Sequence, residues 1–276
     1  MSERTIEFGV DISTTPLERL ARAKERARET LEIAQRWNRG DHVSPAWTQL
    51  DPQTFVLYLD IDEPAPVRQL SLTMSEALHH ARGALSSFAW ELSSLSGAGL
   101  SRRNKVSFPA ALSVDSWDKV APALSAIPPE LVARIRQVQP FQYVEQPAAD
   151  ALAVLARLNN LDKHADLVSA APIHTGSDYQ VALRRAGAGD FGIEFEQHEL
   201  DLESGGTYVT ARTAIPMAIQ DPLSGAEVRW DWGVTGHAPD GAYTPLGQVE
   251  AAIHSLEDVM QHVCTGTTRG LESYPL

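Results

Sequence analysis

Cysteine is almost absent from this sequence, since Cys264 is the only one among 276 residues. One cysteine cannot form a disulfide within the chain, so a reducing compartment is the expected environment. Long apolar runs are missing as well: no stretch approaches the roughly 20 apolar residues of a membrane span. The first residues, MSERTIEFGV, also lack the apolar core of a signal peptide. The sequence therefore predicts a cytoplasmic protein with no membrane segment.

The short motifs that identify common enzyme classes are also missing. The sequence has no Walker loop, no G-x-G-x-x-G after a predicted strand, no cysteine pair spaced for zinc and no G-x-S-x-G nucleophile motif. These absences disfavour P-loop hydrolysis of nucleotides, dinucleotide-dependent redox chemistry and serine hydrolysis. No cofactor is predicted, and the identity of any metal stays open.

Basic residues are scarce, because 23 lysines and arginines face 36 acidic residues and give a formal net charge of -13. Through Lys105 the counts are 13 basic and 14 acidic, and beyond it they are 10 and 22. An extended nucleic-acid surface needs clustered lysine and arginine, so this charge disfavours such a partner. The only dense basic loop is SRRNK at residues 101–105.

Helical periodicity is the strongest pattern that is present. Helices are predicted over about residues 14–37, 66–95, 128–138, 147–164 and 245–264. The second is expected to be the central helix, because its apolar residues step by four and three positions. This seam consists of Met74, Leu78, Ala81, Leu85, Phe88, Leu92 and Leu95, and a similar seam on the last helix consists of Ile253, Leu256, Met260 and Val263.

Alternation of apolar and polar residues predicts strands at about residues 54–62, 181–185, 191–195, 207–215 and 228–232. Helices, then antiparallel strands, then a final helix is an α+β pattern with four to five core helices. The expected division is a helical part at 1–166, a strand region at 167–245 and a C-terminal helix at 246–276 that packs back on the helical part. Trp230 and Trp232 are expected to be exposed, either against the last helix or on a partner surface.

A polar stripe flanks the seam of the central helix. His79, Arg82 and Ser86 step by three and four residues, about 100° from the apolar face. An arginine and a histidine at the edge of a core need partners, and NNLDKH at the end of another helix offers Asp162, Lys163 and His164. The predicted site is therefore His79, Arg82, Asp162, Lys163 and His164. A purely structural role for these residues, which terminate or link helices, remains the alternative.

Two spacings resemble those of metal ligands. Glu76 and His79 form an E-x-x-H pair, and Glu250, His254, Asp258 and His262 form an i, i+4 row on the last helix. Di-iron bundles need two E-x-x-H pairs, and the sequence provides one. The row is instead interpreted as a hydrated face of mutually paired side chains.

Four short motifs in order resemble a family of bacterial proteins that is common in actinobacteria. The segments are ALHHARGALSSFAW at 77–90, SRRNKVSFPA at 101–110, QPF at 139–141 and NLDKHA at 160–165. The family's central helix reads approximately A-L-H-N-L-R-S-A-L-D-H-L-V-W, and its later helix ends in D-K-H-R. The resemblance spans about residues 70–170 and indicates a family rather than an activity.

That helix is in turn similar to HEPN domains, helical modules whose RNA-cleaving members carry an arginine followed, after four to six residues, by a histidine. The resemblance implies phosphate stabilisation by the arginine and acid-base chemistry by the histidine. Here Arg82 matches the arginine, but the family's aspartate and histidine fall on Ser86 and Ser87, and its final arginine falls on Ala165. Serine does not titrate near neutrality and cannot act as the base.

Three functions remain open at this point. The first is a degenerate HEPN-like binding or regulatory protein, in a defence or toxin-antitoxin setting, whose partner is a small anionic ligand or a protein, a second copy of the chain included. The second is an enzyme whose His/Arg/Asp pocket acts on an anionic or phosphate-containing substrate such as RNA. The third is a metal-binding helical protein that uses Glu76, His79 and residues of the last helix.

Overall fold

The computed structural model describes residues 13–40, 42–97, 99–103, 106–142, 151–162, 169–179, 182–185, 192–198, 205–221, 226–235 and 243–266. Within them the fold is α+β, as predicted. The helices are α1 (Thr14–Arg39), α2 (Val67–Ser94), α3 (Leu100–Arg103), α4 (Val114–Val120), α5 (Pro129–Gln137), α6 (Ala151–Asp162) and α7 (Leu246–Thr265). The strands are β1 (Val43–Asp51), β2 (Thr54–Ile61), β3 (Ser169–Tyr179), β4 (Ala182–Arg185), β5 (Ile193–Gln197), β6 (Gly206–Thr213), β7 (Met217–Asp221), β8 (Ala226–Thr235) and β9 (Thr244–Pro245).

The chain divides into two compact units, each built from separate segments of the sequence. One unit contains Met1–Glu32, Arg68–Ala171 and Gly233–Leu276, and the other contains Ile33–Val67 and Pro172–Trp232. None of the helices within the described ranges combines the length and the apolar character that crossing a membrane requires.

The apolar seam of α2 is the centre of the first unit, and the prediction for it is confirmed over six of its seven positions. All six residues from Met74 to Leu92 are buried, because the repeat keeps one face of the helix against neighbouring elements. Leu95 is the exception: it follows the end of α2 and is 51% exposed. The four predicted seam residues of α7 are all fully buried, and α7 packs against α5 and α6.

Ion pairs join α1 to the other long helices of this unit. Arg26 Nε lies 3.3 Å from a carboxylate oxygen of Glu76 on α2, and Lys24 Nζ lies 2.6 Å from Glu257 on α7. A buried hydroxyl on α2 makes another connection, since Ser71 accepts a hydrogen bond of 2.8 Å from the backbone N–H of Ala170. Two of these contacts involve α2, and the pair of Lys24 and Glu257 joins α1 to α7.

An antiparallel sheet of order β1-β2-β6-β5 forms the core of the second unit. Its buried face contains Trp47, Phe55, Leu57, Leu59, Tyr208, Val209 and Ala211. The sequence prediction missed β1, which contains Pro45 and lacks a regular alternation. Its pairing with β2 is instead fixed by a tight turn at Asp51–Thr54 and by register with a strand that the sequence does predict.

The other strands form a three-stranded sheet of order β3-β8-β9 and the pair β4-β7. The expected exposure of Trp232 is wrong: it is buried, its ring meets that of Trp37 edge-on at 5.6 Å, and its Nε1–H donates to Asn38 Oδ1 at 2.9 Å. The side chain of Trp230 lies outside the described residues. Phe195 is also more exposed than its alternation suggests, at 47%, because β5 lies at the end of its sheet.

Candidate functional site

The polar stripe of α2 divides between two surroundings. Arg82 and Ser86 are half-buried and line a cavity, whereas His79 is exposed and is not among the described residues that line it. These three residues lie on one stripe of α2, but a step of three residues turns the helix by less than a full circle and a step of four by more, so their side chains point in somewhat different directions. The helical spacing alone therefore does not make them neighbours in one pocket.

This cavity, called here the Arg82 cavity, has a volume of about 460 Å³. It is enclosed by α2, the segment before α4, α4 itself and α6. Its lining residues are Leu78, Arg82, Leu85, Ser86, Ser107, Phe108, Ala110, Leu112, Ser113, Ser116, Val120, Leu155 and Ala156. Pockets of this size hold small organic molecules.

The lining combines one charge with hydroxyls and an apolar surface. Arg82 is the only charged residue among the described lining residues, and the hydroxyls come from four serines. Leu78, Leu85 and Leu155 are buried and form the inner surface. No imidazole, carboxylate or thiol lines the cavity within the described part of the chain, so the lining can bind an anion but offers no side chain that titrates near neutral pH.

Two local structures fix the wall that faces α2. Ser113 caps α4 in a reciprocal arrangement: its hydroxyl accepts from the backbone N–H of Ser116 at 3.1 Å, and the Ser116 hydroxyl accepts from the Ser113 N–H at 3.0 Å. Further back, the side chain of Gln139 accepts a hydrogen bond of 2.8 Å from the backbone N–H of Ala111. The wall is therefore held in place at the N-terminus of α4 and at Ala111.

The edge of the cavity is unusually apolar for a protein surface. Leu112 is 55% exposed and Val120 is 39% exposed, and both line the cavity. Val114, in the first turn of α4, is also largely exposed. Three large aliphatic side chains within nine residues thus remain in water beside one opening, which is a feature of sites that bind apolar groups.

The structure brings together the two helices on which the predicted site depends, but not all of its residues. Leu155 and Ala156 of α6 line the Arg82 cavity, and α6 ends at Asp162. The side chain of Asp162, and the whole of Lys163 and His164, lie outside the described residues. The proposed convergence of these three residues on Arg82 therefore remains a prediction.

A second, more open cavity lies beside the same helix, with a volume of about 430 Å³. We call it the Arg19 cavity. Its lining residues are Thr15, Arg19, Gly83, Ser86, Ser87, Trp90, Glu91 and Val106. Sequence analysis did not single out Arg19 or Trp90, because the proximity of Arg19 to Gly83 depends on how α1 packs against α2.

The adjacent serines Ser86 and Ser87 occupy different positions relative to these cavities. Ser86 lines both cavities, whereas Ser87 lines only the Arg19 cavity of the two. Beside them, His80 is half-buried and its ring lies 6.0 Å from that of His79. Burial lowers the pKa of His80, and the positive charges of His79 and Arg22 lower it further.

Most of the residues with metal-like spacing are engaged in other contacts. Glu76 pairs with Arg26, and Glu250 lies 3.4 Å from His254 Nε2. The interpretation of the α7 row as a hydrated face is wrong for His262, which is buried and lies within 3.3 Å of the side-chain oxygen of Gln137. Among the described residues, no group of three or more histidine, cysteine, aspartate or glutamate side chains is placed to hold a metal ion.

Comparisons with protein-family models, with curated proteins and with solved structures each find no significant match to this chain.

Proposed function

We propose that this protein is a binding or regulatory protein, and that its Arg82 cavity holds a small anionic molecule with an apolar part. The observation that carries the proposal is the composition of the cavity: one guanidinium, four hydroxyls and an apolar inner surface. Binding requires only these groups. Acid-base or nucleophilic catalysis needs in addition a side chain that titrates in the working pH range.

The preferred ligand is a monocarboxylate with a hydrocarbon chain. A guanidinium binds a carboxylate through two parallel hydrogen bonds, and serine hydroxyls can donate to the same group. The exposed aliphatic side chains of Leu112 and Val120 would then lie along the hydrocarbon and lose their contact with water.

The resemblance to HEPN-like proteins is compatible with this proposal. A member that keeps Arg82 but has Ser86 and Ser87 in place of the acid and the histidine retains anion binding without the base. Ser86 lines the cavity beside Arg82, so the change from a carboxylate to a neutral hydroxyl favours an anionic ligand there. Regulation of a protein partner through ligand binding is the role that follows.

Calorimetric titration with octanoate tests the proposal, with octanol and acetate as probes that lack the charge and the chain. We expect octanoate to bind more tightly than either. Loss of a charge-assisted hydrogen bond costs about 1.5–3 kcal/mol, so Arg82→Ala should weaken octanoate binding roughly tenfold or more. Arg157→Ala removes an exposed arginine of α6 next to the lining residue Ala156 and serves as the matched control.

The rim provides a second variant that leaves the interior of the fold unchanged. Leu112→Ser should weaken octanoate and leave the weak affinity for acetate as it is, because only the longer ligand reaches the exposed leucine. Equal affinity for octanol and octanoate, or full octanoate affinity in a folded Arg82→Ala protein, would contradict the proposal.

A second candidate function is Arg82-dependent cleavage of RNA. One observation favours it: α6, which ends at Asp162, contributes Leu155 and Ala156 to the cavity that contains Arg82. Incubation of a mixed RNA pool with the wild-type protein and with Arg82→Ala separates the two functions. Cleavage that disappears in the variant would establish the enzyme and exclude the binding protein.

A further inference from the structure

We propose that the Arg19 cavity is a second binding site, separate from the Arg82 cavity, and that its ligand is a small aromatic carboxylic acid. The two cavities share a single lining residue, Ser86, and each has its own arginine. The inference rests on the placement of Arg19, on the side chains that face it and on the exposed ring of Trp90.

The guanidinium of Arg19 lies directly against α2 because residue 83 is glycine. A Cβ atom at Gly83 would be only 2.7 Å from Arg19 Nη1, closer than side-chain atoms normally approach. Glycine in the interior of a helix lowers its stability, so its presence at this position needs a reason. The close approach of a charged group from α1 supplies one.

Arg19 differs from the next two arginines of α1, Arg22 and Arg26, which have acidic partners. Arg22 pairs with Glu25, and Arg26 contacts both Glu29 and Glu76. No acidic side chain of the described residues forms an ion pair with Arg19. Its charge is therefore available to a bound anion at the surface of the cavity.

The single carboxylate in the lining is already engaged. One oxygen of Glu91 accepts from the backbone N–H of Ser13 at 3.2 Å, and the other accepts from the hydroxyl of the same serine. Glu91 therefore holds the start of α1 rather than facing Arg19 as a partner. Its charge still disfavours a ligand with two negative charges, because the lining then contains one cation and one anion.

Trp90 provides the surface for an aromatic ring. Its side chain is 41% exposed and lines the cavity. Arg103 covers one face of the ring, with Cζ 3.9 Å from the centroid, so a ligand ring would pack against the remaining exposed part of the indole. Gly83 and Trp90 are seven positions apart, which is about 10 Å along the helix axis. The hydroxyls of Ser86 and Ser87 lie between the two ends. A carboxylate at Arg19 and a ring at Trp90 thus fit one short molecule.

The probe is 3-phenylpropionate, and its affinity for the full chain is measured by ligand-observed NMR and calorimetry. Propionate lacks the ring, 3-phenylpropan-1-ol lacks the charge, and phenyl phosphate carries a second charge. We expect 3-phenylpropionate to bind more tightly than all three. Tighter binding of phenyl phosphate or of the alcohol would overturn the proposed ligand class.

Three variants test the site itself. Arg19→Gln should weaken 3-phenylpropionate about tenfold or more, as the loss of a charge-assisted hydrogen bond requires. Gly83→Ala should weaken it also, since the new methyl group displaces the flexible end of Arg19 without removing its charge. Arg22→Gln is the matched control, because Arg22 is exposed on the same helix but is paired with Glu25 and does not line the cavity.

Thermal unfolding of each variant shows that the fold is retained, and Gly83→Ala is expected to be at least as stable as the wild type because alanine favours helix. Saturation with octanoate should leave 3-phenylpropionate bound if the two sites are separate. Displacement by octanoate, or unchanged affinity in both Arg19→Gln and Gly83→Ala, would refute the second site.

Discussion

Gln139 accepts a hydrogen bond from the backbone N–H of Ala111 through its side-chain oxygen, at 2.8 Å, although 28 residues separate them. The amide nitrogen of the same side chain donates to the carbonyl of Ile135 at 2.9 Å. Gln139 is completely buried. Ala111 lies between two residues of the Arg82 cavity, Ala110 and Leu112, so this amide fixes the wall of the cavity to the end of α5.

Gln139→Ala is therefore expected to reduce both the stability of the protein and its affinity for octanoate. The variant leaves a buried N–H without an acceptor, which costs about 1–3 kcal/mol in the free energy of unfolding. Gln142→Ala is the control, because Gln142 is exposed and should change stability by less than about 0.5 kcal/mol. Urea unfolding measures both. Equal stabilities for the two variants would show that the wall does not depend on this amide.

Arg134 caps the C-terminal end of α7 from another helix. Its Nη1 donates to the carbonyls of Val263 and Cys264, at 3.2 and 2.8 Å, and Gly266 follows in a left-handed conformation with φ of 68°. Arg134→Ala should lower the free energy of unfolding by about 1 kcal/mol or more, because two helix-terminal carbonyls lose their donor. Arg136→Ala, at an exposed position on α5, should have a smaller effect in the same urea experiment.

The turn between β1 and β2 should make Asp51 unusually acidic. Its carboxylate accepts from the backbone N–H groups of Gln53 and Thr54 at 2.8 and 2.9 Å, and the hydrogen bond from Gln53 is the largest cause of a pKa below 3.8. A lowered carboxyl pKa stabilises the fold above the unfolded-state pKa, and this contribution is lost as the pH falls through the folded-state value.

NMR titration of the Asp51 carboxyl carbon checks this prediction. Asp51→Asn keeps an oxygen that can accept from the turn but has no titration, so the contribution of Asp51 to the acid dependence of stability should disappear. A midpoint at or above 3.8 for Asp51 in the folded protein would contradict the assignment.

His80 should titrate below 6.5, because burial disfavours its charged form and His79, Arg22 and Arg19 repel it, while Glu76 acts in the opposite direction. The folded state then binds a proton less readily than the unfolded state. Stability contributed by neutral His80 is complete above about pH 6.5 and decreases as the pH falls from there towards the folded-state pKa. NMR titration of the imidazole measures this, and Arg22→Gln should raise the midpoint.

Ser86 is the residue through which one substitution can affect both proposed sites. Ser86→Asp places a carboxylate in the lining of the Arg82 cavity and of the Arg19 cavity, so octanoate and 3-phenylpropionate should both bind more weakly, by about tenfold or more. Ser87→Asp should weaken 3-phenylpropionate more than octanoate, because Ser87 lines only the second of the two cavities. Equal effects on both ligands from Ser87→Asp would contradict the separation of the sites.

The helices could be predicted from the sequence because their signals are local. The seam from Met74 to Leu92 repeats at intervals that match one face of a helix, and the structure buries every one of its residues. The same reasoning located α1, α5 and α7 to within a few residues. It failed for β1, whose register depends on pairing with β2 rather than on its own pattern.

The site could be predicted only in part. Periodicity placed Arg82 and Ser86 at the edge of the apolar seam, where a polar side chain needs a polar partner or contact with solvent. It could not indicate that Phe108, Leu112 and α4 complete a cavity there. Those residues belong to a separate segment of the chain, whose path depends on the hydrogen bond between Ala111 and the buried side chain of Gln139.

The sequence by itself determined the α+β class, the central helix with its buried face and the presence of serines, which cannot act as bases near neutral pH, at positions 86 and 87. These follow from periodicity and residue chemistry, which are properties of neighbouring positions. The tertiary structure alone decided that Arg82 lines a cavity while His79 faces solvent. It also decided that Trp232 is buried against Trp37 and that Arg19 lies over Gly83. Each of these depends on which distant segment packs against a given helix face, and no local pattern encodes that choice.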